Sequence, residues 1–266
     1  MSLSFVRYQT NFRSSCSTYC QVIHAIARSR IDPERAEEIV QRVEKLYELG
    51  DLDAQPDCVC YDALINAFGW SDRKGKAVKC FLIYQKMLGL FRSRRNVLAK
   101  PDIITCNSVL NACAFDAAET DVERAAIMDI VVKIVEDFQS SAPKFGWPNH
   151  ITYANTLQSI HKHVVDPRKR ADLAETTFWQ CCQKSLVSVP VVTSLHRALP
   201  WERFADLMSE AVLSGEGEPL HFNWSLLPRE WTRFAPKPKE RRDSRPSQKR
   251  PSRSNSFKPS NSRLVQ

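Results

Sequence analysis

Along residues 16–210 apolar side chains recur three or four positions apart, the spacing of one face of an α-helix. Tyr61, Leu64, Ile65 and Phe68 show it clearly. Four stretches, Ser17–Ile26, Val59–Phe68, Ile104–Cys113 and Ile151–Ile160, align without gaps, and their anchors Tyr19, Tyr61, Cys106 and Tyr153 lie 42, 45 and 47 residues apart. Small residues Ala25, Ala67, Ala112 and Ser159 share a column, which predicts a close crossing by a second helix. That second helix is marked by Ala36, Ala77, Ala125 and Ala171, each followed seven residues later by Val43, Tyr84, Val132 and Phe178. In its first copy Asp32 is placed to cap the helix, Pro33 to open it and Gly50 to end it. Pro56-Asp57, Pro101-Asp102 and Pro148-Asn149 precede three of the first helices, each proline disfavouring helix before it and each Asp or Asn able to cap the helix after it. A helix pair cannot bury its apolar faces alone, so pairs stack. The predicted fold class is all-α: a right-handed α-solenoid of antiparallel helix pairs, about four repeats over residues 16–210.

Charge refines the boundaries. From Ala235 to Gln266 ten Lys and Arg face only Glu240 and Asp243, so this tail holds the whole formal charge of +8. Rich in Pro, Ser and cations, it is expected to stay disordered. Trp224, Leu226, Leu227, Trp231 and Phe234 make residues 211–234 an apolar extension expected to pack on the repeats. The longest apolar stretch, Ile127–Val135, is cut by Asp129 and Lys133, so no membrane partner is expected. Arg7, Arg13, Arg28 and Arg30 precede the first acidic residue, Asp32, which reads residues 1–15 as a short transit segment. Nine cysteines without a secretory signal pattern point to a reducing compartment and to thiols used as small apolar groups.

The phrases Pro-Asp-x-x-x-Tyr-x-x-Leu-Ile-x-Ala at Pro56–Ala67 and Pro-Asp-x-x-Thr-Cys-Asn-x-Val-Leu-Asn-Ala at Pro101–Ala112 resemble the pentatricopeptide-repeat family. The copies are longer than that family's usual repeat, and Arg92–Lys100 and Ser140–Trp147 are expected as extended loops like those of its algal members. Ser185–Met208 is expected as a terminal cap rather than a full repeat. The resemblance implies binding of single-stranded RNA, one base per helix pair, in a mitochondrion or plastid, in processing, stability or translation of a transcript. Its base-edge readers are the fifth and last residues of each repeat. Carried over, these are Cys20 with Asp57, Asp62 with Asp102, Asn107 with Asn149, and Ala154 without a clear partner. The second-position residues Val59, Ile104 and Ile151 would pack on base faces. Asn107 and Asn149 present amide donors and acceptors suited to a pyrimidine edge, whereas Asp62 offers only acceptors when ionised.

Catalytic or metal chemistry is not expected, and no cofactor. Cys58 and Cys60 are one residue apart, Cys181 and Cys182 are adjacent, and no Cys-x-x-Cys pair faces another at zinc spacing. His161 and His163 point to different sides of one helix. The competing reading is a scaffold whose concave face takes a protein partner without RNA specificity; the neutral body favours it. Oligomeric state is left open by the sequence.

Overall fold

The computed structural model describes residues 16–208 and 223–236, the side chains of 139–144 excepted. Every regular element among them is helical: α1 (Cys16–Ser29), α2 (Pro33–Glu48), α3 (Cys58–Trp70), α4 (Lys76–Arg92), α5 (Ile103–Phe115), α6 (Asp121–Phe145), α7 (His150–His163), α8 (Pro167–Gln183), α9 (Val189–Ala198), α10 (Trp201–Met208) and a short α11 (Arg229–Thr232). None of these helices is long and apolar enough to cross a membrane. The expectations placed on residues 1–15, on 211–222 and on the tail beyond Pro236 lie outside the described residues.

The caps explain why the chain folds in these units. Asp32 accepts from the Arg35 N–H, and Pro33 occupies the first turn of α2. The chain leaves α2 through Gly50 at φ +97°, a backbone that side chains with a Cβ rarely adopt, while Asp51 N–H returns to the Leu46 carbonyl. Asp57, Asp102 and Asn149 cap α3, α5 and α7 through the Cys60, Thr105 and Thr152 N–H groups. Asp102 and Asn149 form reciprocal capping boxes, since Thr105 and Thr152 return their hydroxyls to the cap backbone. Asp116, buried at the end of α5, reaches across to cap α4 through the Gly75 and Ala77 N–H groups.

The arrangement is repeat-like. The odd-numbered helices form a continuous layer, α1 on α3, α3 on α5, α5 on α7 and α7 on α9, and each even helix lies against its sequence neighbours. One apolar core joins α1 to α6 around Tyr61, Ile65, Tyr84, Leu110 and Ile134. A second joins α7 to α10 around Leu157, Phe178, Leu195 and Phe204. Residues 223–236 dock on the second core. Trp231 sets its ring edge-on to Phe178 and Trp179, its carbonyl accepts from Val187 N–H at 2.8 Å, and Phe234 N–H donates to Ser185 O.

Several predicted details differ. Ala25 is exposed, whereas Ala67, Ala112 and Ser159 are buried, because no helix precedes α1 among the described residues. In α6 the buried stripe is Ile127, Ile130, Val131 and Ile134, so Ala125 and Val132 face solvent and the register lies two residues later. Ser140–Trp147 is not a loop: α6 continues to Phe145, and only Gly146–Asn149 connects to α7. Ser185–Met208 contains a further helix pair, whose α9 takes the same place against α7 that α7 takes against α5.

Candidate nucleic-acid interface

Three successive odd helices repeat one local design at their N-termini. The cap residue is followed two positions later by a β-branched aliphatic in the first turn and five positions later by a small or polar residue. Val59, Ile104 and Ile151 occupy the first of these places and are 52, 58 and 44% exposed. Each lies in the first turn of its helix, beside residues that already pack on the neighbouring odd helix, as Cys58 does on Thr105 at 3.6 Å. Exposed aliphatics also occur elsewhere on this chain, and these three stand out only by recurring at the same place in successive helices.

The fifth-position residues lie at one common depth. Cys20, Asp62, Asn107 and Ala154 are 6, 7, 8 and 7% exposed. Each of the first three meets its carried-over partner from the next repeat. The Cys20 thiol lies 4.0 Å from Asp57 Oδ1, Asp62 and Asp102 bring carboxylate oxygens within 4.8 Å, and Asn107 Nδ2 donates to Asn149 Oδ1 at 3.2 Å.

Asn107 is the best equipped of these. Its Oδ1 accepts from Thr152 Oγ1 at 2.8 Å, and its backbone carbonyl accepts from Asn155 Nδ2 at 3.2 Å. Asn149 Oδ1 is committed to the cap of α7. The second Nδ2–H of Asn107 and the amide N–H groups of Asn149 remain as donors at the rim, suited to carbonyl and ring-nitrogen acceptors of a pyrimidine. These contacts belong to a polar seam between α5 and α7, with Thr156, Ser159 and His163 also buried in it. His163 Nε2 donates to the Cys113 carbonyl at 2.8 Å, and burial holds its imidazole below the usual range.

The Asp62 site is electrostatically different. Burial, reinforced by the Asp102 and Asp57 carboxylates, pushes its carboxyl up to about 6. Its Oδ1 has no hydrogen-bond partner among the described residues, while Oδ2 accepts from the Cys58 thiol at 3.5 Å. Burial likewise pushes the Cys58 thiol up to about 12, so it stays protonated and donates. A pair of close carboxylates repels a phosphate and accepts only base donors.

No family model, curated protein or solved structure matches this chain.

Sequence pattern alone does not find the partner of Ala154. Ser188 stands at the N-cap of α9, with Pro190 exposed two positions later and Thr193 five positions later. Ala154, Asn155, Pro190 and Thr193 line a cleft of about 330 Å³ between α7 and α9, with Arg197 at its edge. A signal exists in Ser188-Val189-Pro190, a cap before a first-turn proline, but serine in place of Pro-Asp or Pro-Asn hides the equivalence. The meeting of Cys16, Cys20 and Cys60 is hidden as well, since these residues belong to two helices and show no local metal-binding spacing.

Proposed function

We propose that this chain binds single-stranded RNA in a sequence-guided way, as a right-handed α-solenoid of antiparallel helix pairs of pentatricopeptide-repeat type. The observation that carries the reading is the exposed row Val59, Ile104 and Ile151, each beside a buried fifth-position residue and the cap of the next repeat. In this reading the row provides aliphatic platforms for base faces, while the pair behind each platform meets the base edge. Asn107 with Asn149 selects a pyrimidine, Asp62 with Asp102 is a weak reader, and the cleft at Ala154 and Pro190 accepts a base without discriminating it. The Lys- and Arg-rich sequence beyond Pro236 supplies phosphate contacts that add affinity but no sequence information. The chain acts by binding, in organellar RNA processing, stability or translation, and carries no reaction of its own.

A scaffold that takes a protein segment along the odd-helix face is the second reading. The depth of Asn107 and the doubled carboxylates at Asp62 and Asp102 favour it. Filter binding with cytosine, uracil and adenine homo-oligomers at one salt concentration separates the two. RNA recognition requires pyrimidine oligomers to be retained more tightly than adenine; the scaffold reading requires no base preference.

A further inference from the structure

The first repeat departs from the others in one respect: its fifth-position residue is a thiol, and two more thiols converge on it. Cys16 and Cys20 lie one helical turn apart on α1 and so face the same way, with sulfurs 3.8 Å apart. Cys60, in the first turn of α3, completes the group, and all three sulfurs fall within 4.8 Å of one another. Asp57, the cap of α3, stands beside them with Oδ1 at 4.0 Å from Cys20 Sγ, held there by the Cys60 N–H at 2.9 Å.

We propose that Cys16, Cys20, Cys60 and Asp57 form a binding site for one zinc ion that ties α1 to α3. A tetrahedral ion with Zn–S bonds of ~2.3 Å places its thiolates ~3.8 Å apart, and Cys16 and Cys20 already have that separation. Three soft sulfurs select zinc or copper(I) over magnesium or calcium, and the carboxylate as fourth ligand fits zinc. Cys20 and Cys60 are buried while Cys16 is half-buried, which gives the ion a route in from the surface. Binding converts three thiols to thiolates and releases three protons to solvent as three Zn–S bonds form, with no change of oxidation state. Anchoring the two helices that open the odd layer makes the ion a structural clamp: the three thiolates hold it, and Asp57, whose Oδ1 caps α3, closes the fourth position by turning toward the ion. The zinc site uses Cys20 and Asp57, so a bound ion removes that pair from base reading and leaves the pairs of the later repeats untouched.

The test is titration of the full-length reduced chain with cobalt(II) and then zinc. One cobalt per chain should bind with an intense near-ultraviolet sulfur-to-metal band and strong visible absorption of a tetrahedral ion, and zinc should displace it. Cys16→Ser and Cys60→Ser should each weaken zinc at least about 100-fold, whereas Cys58→Ser, outside the ligand set, should leave it unchanged. Because Cys60 is fully buried and its substitution could unfold α3, alkylation of the unsubstituted chain provides a second readout. Zinc should protect Cys16, the half-buried thiol of the set, from iodoacetamide and leave the rate at Cys58 as it was. Absence of the sulfur-to-cobalt band, loss of binding on Cys58→Ser instead of Cys16→Ser, or equal alkylation with and without zinc would each overturn the site.

Discussion

Thr152 donates its hydroxyl to the amide oxygen of Asn107 across 2.8 Å, joining α7 to α5 through a residue that also stands behind the exposed Ile104 and Ile151. Asn107 thus serves the fold and the proposed reading site together. The hydroxyl of Thr152, the amide of Asn149 and that of Asn107 are hydrogen-bonded to one another between two apolar cores, and such contacts favour one packing register.

Asn107→Ala should therefore destabilise the fold as well as affect RNA. Leaving the buried Thr152 hydroxyl without its acceptor costs ~1–3 kcal/mol. Urea unfolding should show a lower midpoint with an unchanged slope, their product falling by that amount. An unaltered midpoint would mean that the α5–α7 seam does not depend on this side chain.

Much of this fold is legible in the sequence because caps and apolar stripes are local. Asp32-Pro33, Pro56-Asp57, Pro101-Asp102 and Pro148-Asn149 mark helix starts wherever the chain is placed, since the side chain satisfies N–H groups within three residues. The α6 register is not legible in the same way, because Ile127 and Ile134 stand where the other copies carry an alanine and its partner seven residues on, while Ala125 and Val132 imitate the pattern from solvent. The family resemblance names the candidate pairs, but it does not give their depth. Burial of Asp62 and Asn107 depends on the next helix in the layer, which no local pattern records. The three-thiol cluster is illegible for the same reason, as Cys16 and Cys60 are brought together only when α1 packs on α3.

Asp62→Asn should stabilise the protein near neutral pH. The native carboxylate is buried beside Asp102 with one oxygen unpartnered among the described residues, and the amide removes a charge that burial disfavours. Thermal melting at pH 7.5 should rise by a few degrees, the response to roughly 1 kcal/mol in a domain of this size. If the proposed RNA face is right, affinity for RNA should rise at the same time, because a negative charge is removed from it. A lower melting temperature would show that Asp62 has a stabilising cation partner in solution.

The buried histidines should make stability fall on mild acidification, and Asp62, whose carboxyl is pushed up to about 6, opposes them. Burial lowers the His163 imidazole from its ordinary value of 6.5, and the charges of Lys162 and Arg124 act in the same direction, while the Cys113 carbonyl and Asp116 oppose them. His150 and His161 are lowered by burial as well. A histidine with a depressed folded value binds fewer protons in the folded than in the unfolded state below 6.5, so stability is full above that pH and declines beneath it. In the Asp62→Asn variant, which lacks the raised carboxyl that takes up a proton near pH 6 and so stabilises the fold on acidification, urea midpoints at pH 7.5, 6.0 and 5.0 should decrease in that order. His163→Gln should flatten part of the slope; an unchanged slope would assign the acid sensitivity to other groups.

The most direct measurement of the central claim is the affinity of the chain, and of the double variant Ile104→Ser/Ile151→Ser, for cytosine, uracil and adenine oligomers by fluorescence anisotropy at fixed salt. Both isoleucines are largely exposed, so the variant should melt with the native protein and confound nothing by unfolding. If they are platforms for bases, the native chain prefers pyrimidine oligomers and the variant loses on the order of 1 kcal/mol per base platform on all three. Equal affinity of the native chain for the three oligomers, or a variant that binds RNA as the native chain does, would contradict sequence-guided binding at this face.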